Sequence, residues 1–187
     1  MSTGVSDPAA MAALASAAAA AFAAFLFARA ALHKLWDFTA FTGFVTDYHL
    51  LPETLVKPAS VALVATEVAI VIAVMVPGAR GFGLALGAAL LLAYALAMGI
   101  NVARGRRHIE CGCGGAVQPI TPALLLRNGA LAALLLAGAA MPATALAWTD
   151  AAAAIAAALI LFAGYLMADQ LLSNAAYLVR REQGKMQ

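Results

Sequence analysis

Five stretches of the chain run with hardly a polar residue, from about Ala9 to Leu32, Pro58 to Val76, Phe82 to Ala103, Pro122 to Ala140 and Ala151 to Leu172. Each is close to the roughly 20 apolar residues that cross a bilayer as an α-helix. Helix-breaking pairs fall between them, at Leu51-Pro52, Pro77-Gly78 and Met141-Pro142, while Thr121-Pro122 and Thr149-Asp150 read as helix starts. No stretch sustains the apolar and polar alternation of a membrane barrel. The many alanines suit helix backbones that approach closely in lipid. The pattern predicts an all-α, polytopic transmembrane helical bundle of about five spans. Residues 1–8 read as an N-terminal tail, 9–179 as a single membrane domain and 180–187 as a basic C-terminal tail. The first span has no basic segment before it and exceeds the roughly 7–15 apolar residues of a cleaved signal, so it reads as a retained helix.

Composition agrees. Of 187 residues, 65% are hydrophobic and 11% charged, and mean hydropathy is +0.93. A soluble domain carries about twice that share of charge. A lipid bilayer is therefore the expected solvent. No basic surface for nucleic acid, nucleotide-binding loop, nucleophile triad or phosphate cradle is recognisable. Because successive loops alternate sides, Arg29, Lys34, Lys57, Arg104, Arg106, Arg107, Arg127, Arg180, Arg181 and Lys185 fall at one end of the bundle, leaving Arg80 at the other. The positive-inside rule then assigns the Arg104 to Arg107 loop to the cytoplasm and the N-terminus to the periplasm of a multi-pass protein in a bacterial inner membrane.

Polar residues within the spans are few. Glu67 lies midway along the second, where an isolated charge costs at least a few kcal/mol. It reads either as a proton relay or cofactor contact, or as a side chain hydrogen-bonded to a neighbouring helix. Thr66 is expected to bond its own backbone. Arg127 lies one turn inside the fourth span, with Asp169 as a candidate partner. The aromatic and charged first loop, from His33 to Pro52, reads as an interfacial amphipathic segment, with a quinone pocket among its aromatics as the alternative.

The chain's two cysteines, Cys111 and Cys113, close the basic loop in a glycine-wrapped Cys-Gly-Cys. Glycine eases the backbone of so small a disulfide ring. Arg106, Arg107 and His108, with Arg127 beyond, would favour thiolate over thiol and so raise exchange reactivity. A reactive dithiol is the leading reading. Two others stand beside it: a copper or zinc site built on the two thiolates with His108 or Glu110, and a scaffold in which the cysteines are incidental.

Beyond these physical readings, Lys34-Leu35 with Phe41, then Tyr48-His49-Leu50-Leu51-Pro52 and Glu67, resemble the pattern of the DoxX-like membrane superfamily. Ile100-Asn101, Arg104-Gly105-Arg106, Ile109 and Cys111-Gly112-Cys113-Gly114-Gly115 resemble the signature of the methylamine-utilisation MauE family, a likeness covering about Ala28 to Asn128. The resemblance implies a DoxX-like four-helix core and an accessory role in maturation of methylamine dehydrogenase, whose disulfide-rich small subunit would be an indirect client. It also implies a membrane-anchored, thioredoxin-like partner of the MauD kind. Quinone-linked disulfide enzymes use C-x-x-C and usually a second cysteine pair. This chain has C-x-C alone, so a second dithiol would come from a partner.

Overall fold

The computed structural model describes residues 7–106, 109–112, 118–144 and 146–185. Helix α1 covers Pro8–Trp36, α2 Phe38–Asp47, α3 Glu53–Met75, α4 Arg80–Ala103, α5 Pro122–Ala139 and α6 Trp148–Lys185, with a 3-10 turn at Pro77–Ala79 between α3 and α4. Among the described residues five helices are long and apolar enough to cross a membrane, and the short α2 is not one of them. This is the expected all-α bundle. Large apolar side chains stay exposed along the spans, among them Leu32, Ile72, Phe82, Leu126 and Ile160. In water such a surface would aggregate, whereas in a bilayer it meets its own kind.

Several boundaries differ from the hydropathy reading. The first span runs on to Trp36. There Asp37 ends α1 and opens α2, its carboxylate accepting the Ala40 amide at 2.8 Å. The segment expected to be interfacial is indeed helical. Helix α3 begins at Glu53, a turn and a half before Pro58, which sits inside it. Proline there forgoes one hydrogen bond, and Glu53 in the first turn faces the positive end of the helix dipole. The last helix continues to Lys185, through most of the expected tail.

Helix α1 is the axis of the bundle, touching α3, α4, α5 and α6, while α4 and α5 form a tight antiparallel pair. Phe22, Phe27, Ile70, Leu84 and Leu135 fill the centre, and Phe22 meets Phe162 and Tyr165 edge-on where α6 crosses α1. Small residues set the spacing. A Cβ added at Gly138 would stand 2.6 Å from the Cβ of Ala19 and 3.4 Å from Leu84, so α5 touches α1 through bare backbone. At Gly129, on the same helix, nothing lies within 4 Å.

The two glycines should therefore part company. Gly138→Val is expected to destabilise the purified protein by about 1–3 kcal/mol. Gly129→Ala should leave stability unchanged or slightly raised, since alanine favours helix by roughly 1 kcal/mol. Thermal unfolding in detergent, followed by circular dichroism, compares them. Equal midpoints for the two variants would contradict the packing described.

Candidate functional site

Two ion pairs and a tethered loop occupy the end of the bundle where α1 and α4 finish and α3 and α5 begin. Lys34 is the inward continuation of the α1 stripe formed by Phe27 and Ala31, at the helical spacing of four and three residues, and is 3% exposed. Its ammonium lies 2.5 Å from Oε1 of Glu67, which is fully buried on α3. Tyr94 of α4 donates its hydroxyl to the same oxygen at 2.9 Å. The ammonium also sits 5.3 Å from the ring centre of Phe41 on α2 and 5.5 Å from that of Tyr94, within cation-π range. One intramembrane carboxylate thus ties four helices together.

Arg127 of α5 pairs with Asp169 of α6, and its second terminal nitrogen reaches Asn128 Oδ1 at 3.4 Å. Gln118, buried in the loop before α5, donates to the same Asp169 oxygen at 3.0 Å. Between the two ion pairs lies a cavity of about 30 Å³, walled in part by Glu67, Tyr94, Arg127, Asn128 and Tyr165. Among the described residues, Glu67 Oε2, Asn128 Nδ2 and Arg127 Nε find no hydrogen-bond partner. Such a space holds one water, which those polar atoms could bind.

The described parts of the cysteine loop, residues 109–112 and 118–121, fold onto the bundle. Ile109 and Ile120 are buried against Met98 and Leu124. Backbone bonds from Cys111 to Gln118 and from Ile120 to Ile109, at 3.1 and 3.0 Å, close its neck around an antiparallel bridge between Glu110 and Pro119. Tyr48, at the end of α2, donates to the Cys111 carbonyl at 3.1 Å. Burial pushes the Tyr48 hydroxyl pKa up, which keeps it a donor. Asn101 holds the Tyr48 carbonyl in turn at 3.1 Å. Gly112 adopts φ +64°, and a Cβ there would meet the Phe44 side chain at 3.1 Å, so the central glycine is required by both conformation and space.

Cys111 is disulfide-bonded. Its sulfur lies 3.7 Å from the Met98 sulfur; with no thiol proton to give, this is a packing contact. Cys113, Arg107 and His108 lie outside the described residues. Arg106 approaches His49 Nδ1 at 3.0 Å, and Arg127 is engaged by Asp169 and Asn128. Among the described residues no three His, Cys, Asp or Glu side chains gather as a metal site. Glu67 stands out in the sequence, whereas its partner Lys34 reads there as one more basic residue at the charged end of the bundle. The α1 periodicity carried past Leu32 finds it, because Lys34 falls on the buried stripe while Leu32, Leu35 and Trp36 fall off it. Asp169 is reached likewise from Ala154, Ala158, Phe162 and Tyr165 on α6. The expected Thr66 bond runs to the Ala62 carbonyl at 2.8 Å.

Five apolar helices with a sulfur-bearing loop locked into one end define a multi-pass membrane protein of the small helical-bundle class. The model of the family Methylamine utilisation protein MauE matches residues 11–141, and the chain belongs to that family. It is 37% identical over 150 residues to the methylamine utilization protein MauE of Paracoccus versutus, covering 78% of this chain and 81% of the relative. Against that of Methylophilus methylotrophus it is 36% identical over 149 residues, 77% and 78% of the two chains. The match to the Paracoccus denitrificans protein is 40% identical but spans 60% of this chain and 61% of the relative. No solved structure matches the chain significantly.

Removing one member of the buried pair should cost more than removing both. Lys34→Met alone leaves the Glu67 carboxylate unpaired and is expected to destabilise by about 3–5 kcal/mol. The double variant Lys34→Met with Glu67→Met should recover most of that loss. Thermal midpoints of the parent protein and the two variants check it, and a double variant no more stable than Lys34→Met alone would contradict the pairing.

Proposed function

We propose that this accessory protein of methylamine utilisation works by thiol-disulfide exchange at Cys111 and Cys113. A thiolate of a membrane-anchored, thioredoxin-like partner attacks the disulfide and forms a mixed disulfide. The partner's second thiolate then resolves it, so that the partner leaves oxidised and Cys111 and Cys113 remain as the dithiol; the reverse sequence runs the other way. The client would be the small subunit of methylamine dehydrogenase, reached through that partner. The carrying observation is the disulfide-bonded state of Cys111 in a loop that Tyr48, Gln118 and Gly112 hold in one geometry.

Arg106, with Arg107 and His108 beside the cysteines in sequence, is the proposed source of the positive charge that favours thiolate over thiol in the reduced state, whereas the charge of Arg127, also expected to contribute, is met by Asp169. Glu67, bonded to Lys34 and Tyr94, is the candidate proton store near the loop. The charge asymmetry survives the finding that Lys34 and Arg127 are internally paired, because Lys57, Arg104, Arg106, Arg107, Arg180, Arg181 and Lys185 still oppose Arg80 alone. It supports an inner-membrane orientation with the cysteine loop cytoplasmic and the N-terminus periplasmic.

Replacement of either Cys111 or Cys113 by Ser is expected to abolish assembly of active methylamine dehydrogenase in cells that depend on this chain, while the variant still accumulates in membranes. Enzyme activity and immunodetection of the small subunit read the outcome. Normal maturation with both cysteines replaced would instead make the chain a scaffold.

A further inference from the structure

A second, larger cavity shares Tyr94 with the small one as a lining residue. It has a volume of about 260 Å³ and lies between α2, α3, α4 and the cysteine loop. Phe41, Phe44, Tyr48 and Tyr94 form its aromatic walls, and Cys111 with Gly112 forms another face. Leu50, Leu51 and Ala93 also line it and are exposed, so its mouth is bordered by apolar side chains. Among the described residues no charged side chain lines it. The Tyr94 hydroxyl is given to Glu67 and that of Tyr48 to the Cys111 carbonyl. Such a space suits a flat, uncharged ring: aromatic walls favour stacking, and an apolar mouth is compatible with an apolar tail that extends beyond it.

We propose that this cavity is the ring site of a lipid-soluble quinone, which reoxidises the Cys111 and Cys113 dithiol. The inference rests on the exchange function above and extends it by naming the terminal oxidant. An acyl chain could fill the same volume but would make no use of Cys111 at the wall. In the step, the two thiols give up two electrons and two protons, the sulfur to sulfur bond forms, and the quinone departs as the hydroquinone. Phe41 and Tyr94 are the walls against which the Lys34 ammonium rests, so the buried ion pair braces the aromatic faces that would hold the ring.

The test uses the full chain in lipid nanodiscs, reduced and then mixed without oxygen with a short-chain ubiquinone. Loss of free thiols and formation of hydroquinone are followed together, and oxidation by glutathione disulfide is measured in parallel. One hydroquinone per disulfide is the expected yield. Ala93→Trp, at an exposed position on the rim, should lower the ratio of the quinone rate to the glutathione rate roughly tenfold or more. A photoreactive azidoquinone should label peptides from α2 and α4, less so in Ala93→Trp, and the label should be competed by ubiquinone but not by a fatty acid. Oxidation by glutathione disulfide without hydroquinone formation would overturn the quinone site and leave exchange standing. Thiols inert to both oxidants would count against exchange itself, and the label would then decide the cavity: labelling elsewhere, or competition by fatty acid, overturns the proposal.

Discussion

The ion pair between Lys34 and Glu67 is the constraint from which the functional end of this bundle follows. Neither charge is tolerable alone in an apolar interior, and each would cost several kcal/mol unpaired. Pairing requires α1 and α3 to meet in one rotational setting, because a helix turned by one residue would carry its charge about 100° away from its partner. Tyr94 then fixes α4 to the same oxygen, and Phe41 brings α2 beneath the ammonium. Apolar packing among alanines and leucines could slide along the helix axes at small cost. A hydrogen-bonded ion pair cannot, so the pair supplies register where the composition supplies only cohesion.

Register at this end matters because the cysteine loop is seated on what the pair positions. Helix α2 carries Tyr48, which grips the Cys111 carbonyl, and Phe44, which packs on Gly112. The other side of the loop is held through Gln118 on Asp169, whose charge is met by Arg127. Each polar tether joins the loop to a different helix, and the buried Ile109 and Ile120 add an apolar floor. The Cys111 sulfur in this loop packs against Met98 in an apolar cluster.

Much of the fold is legible in the sequence for a physical reason: a span in lipid must be continuously apolar and helical, so hydropathy alone marks five of them. Their ends were less legible. Trp36, Glu53 and the last helix beyond Leu172 extend past the apolar limits because helix caps, such as Asp37, and packing decide where a helix stops. Glu67 and the cysteine pair stood out as chemically expensive or unusual residues. Lys34 did not, since a lysine near a helix end usually snorkels to the interface, and only the direction of its side chain separates that from burial. The loop's seat on the bundle was invisible for the same reason: Tyr48, Gln118 and Asp169 are far apart in sequence, and each alone has an ordinary solvated reading.

The most direct test of the central claim is the redox state of Cys111 and Cys113 in native membranes, read by acid quenching and mass-tagging alkylation with and without prior reduction. The account predicts a reducible disulfide whose share of the population shifts when the thioredoxin-like partner is deleted. Two thiols that stay reduced whether or not the partner is present would contradict it.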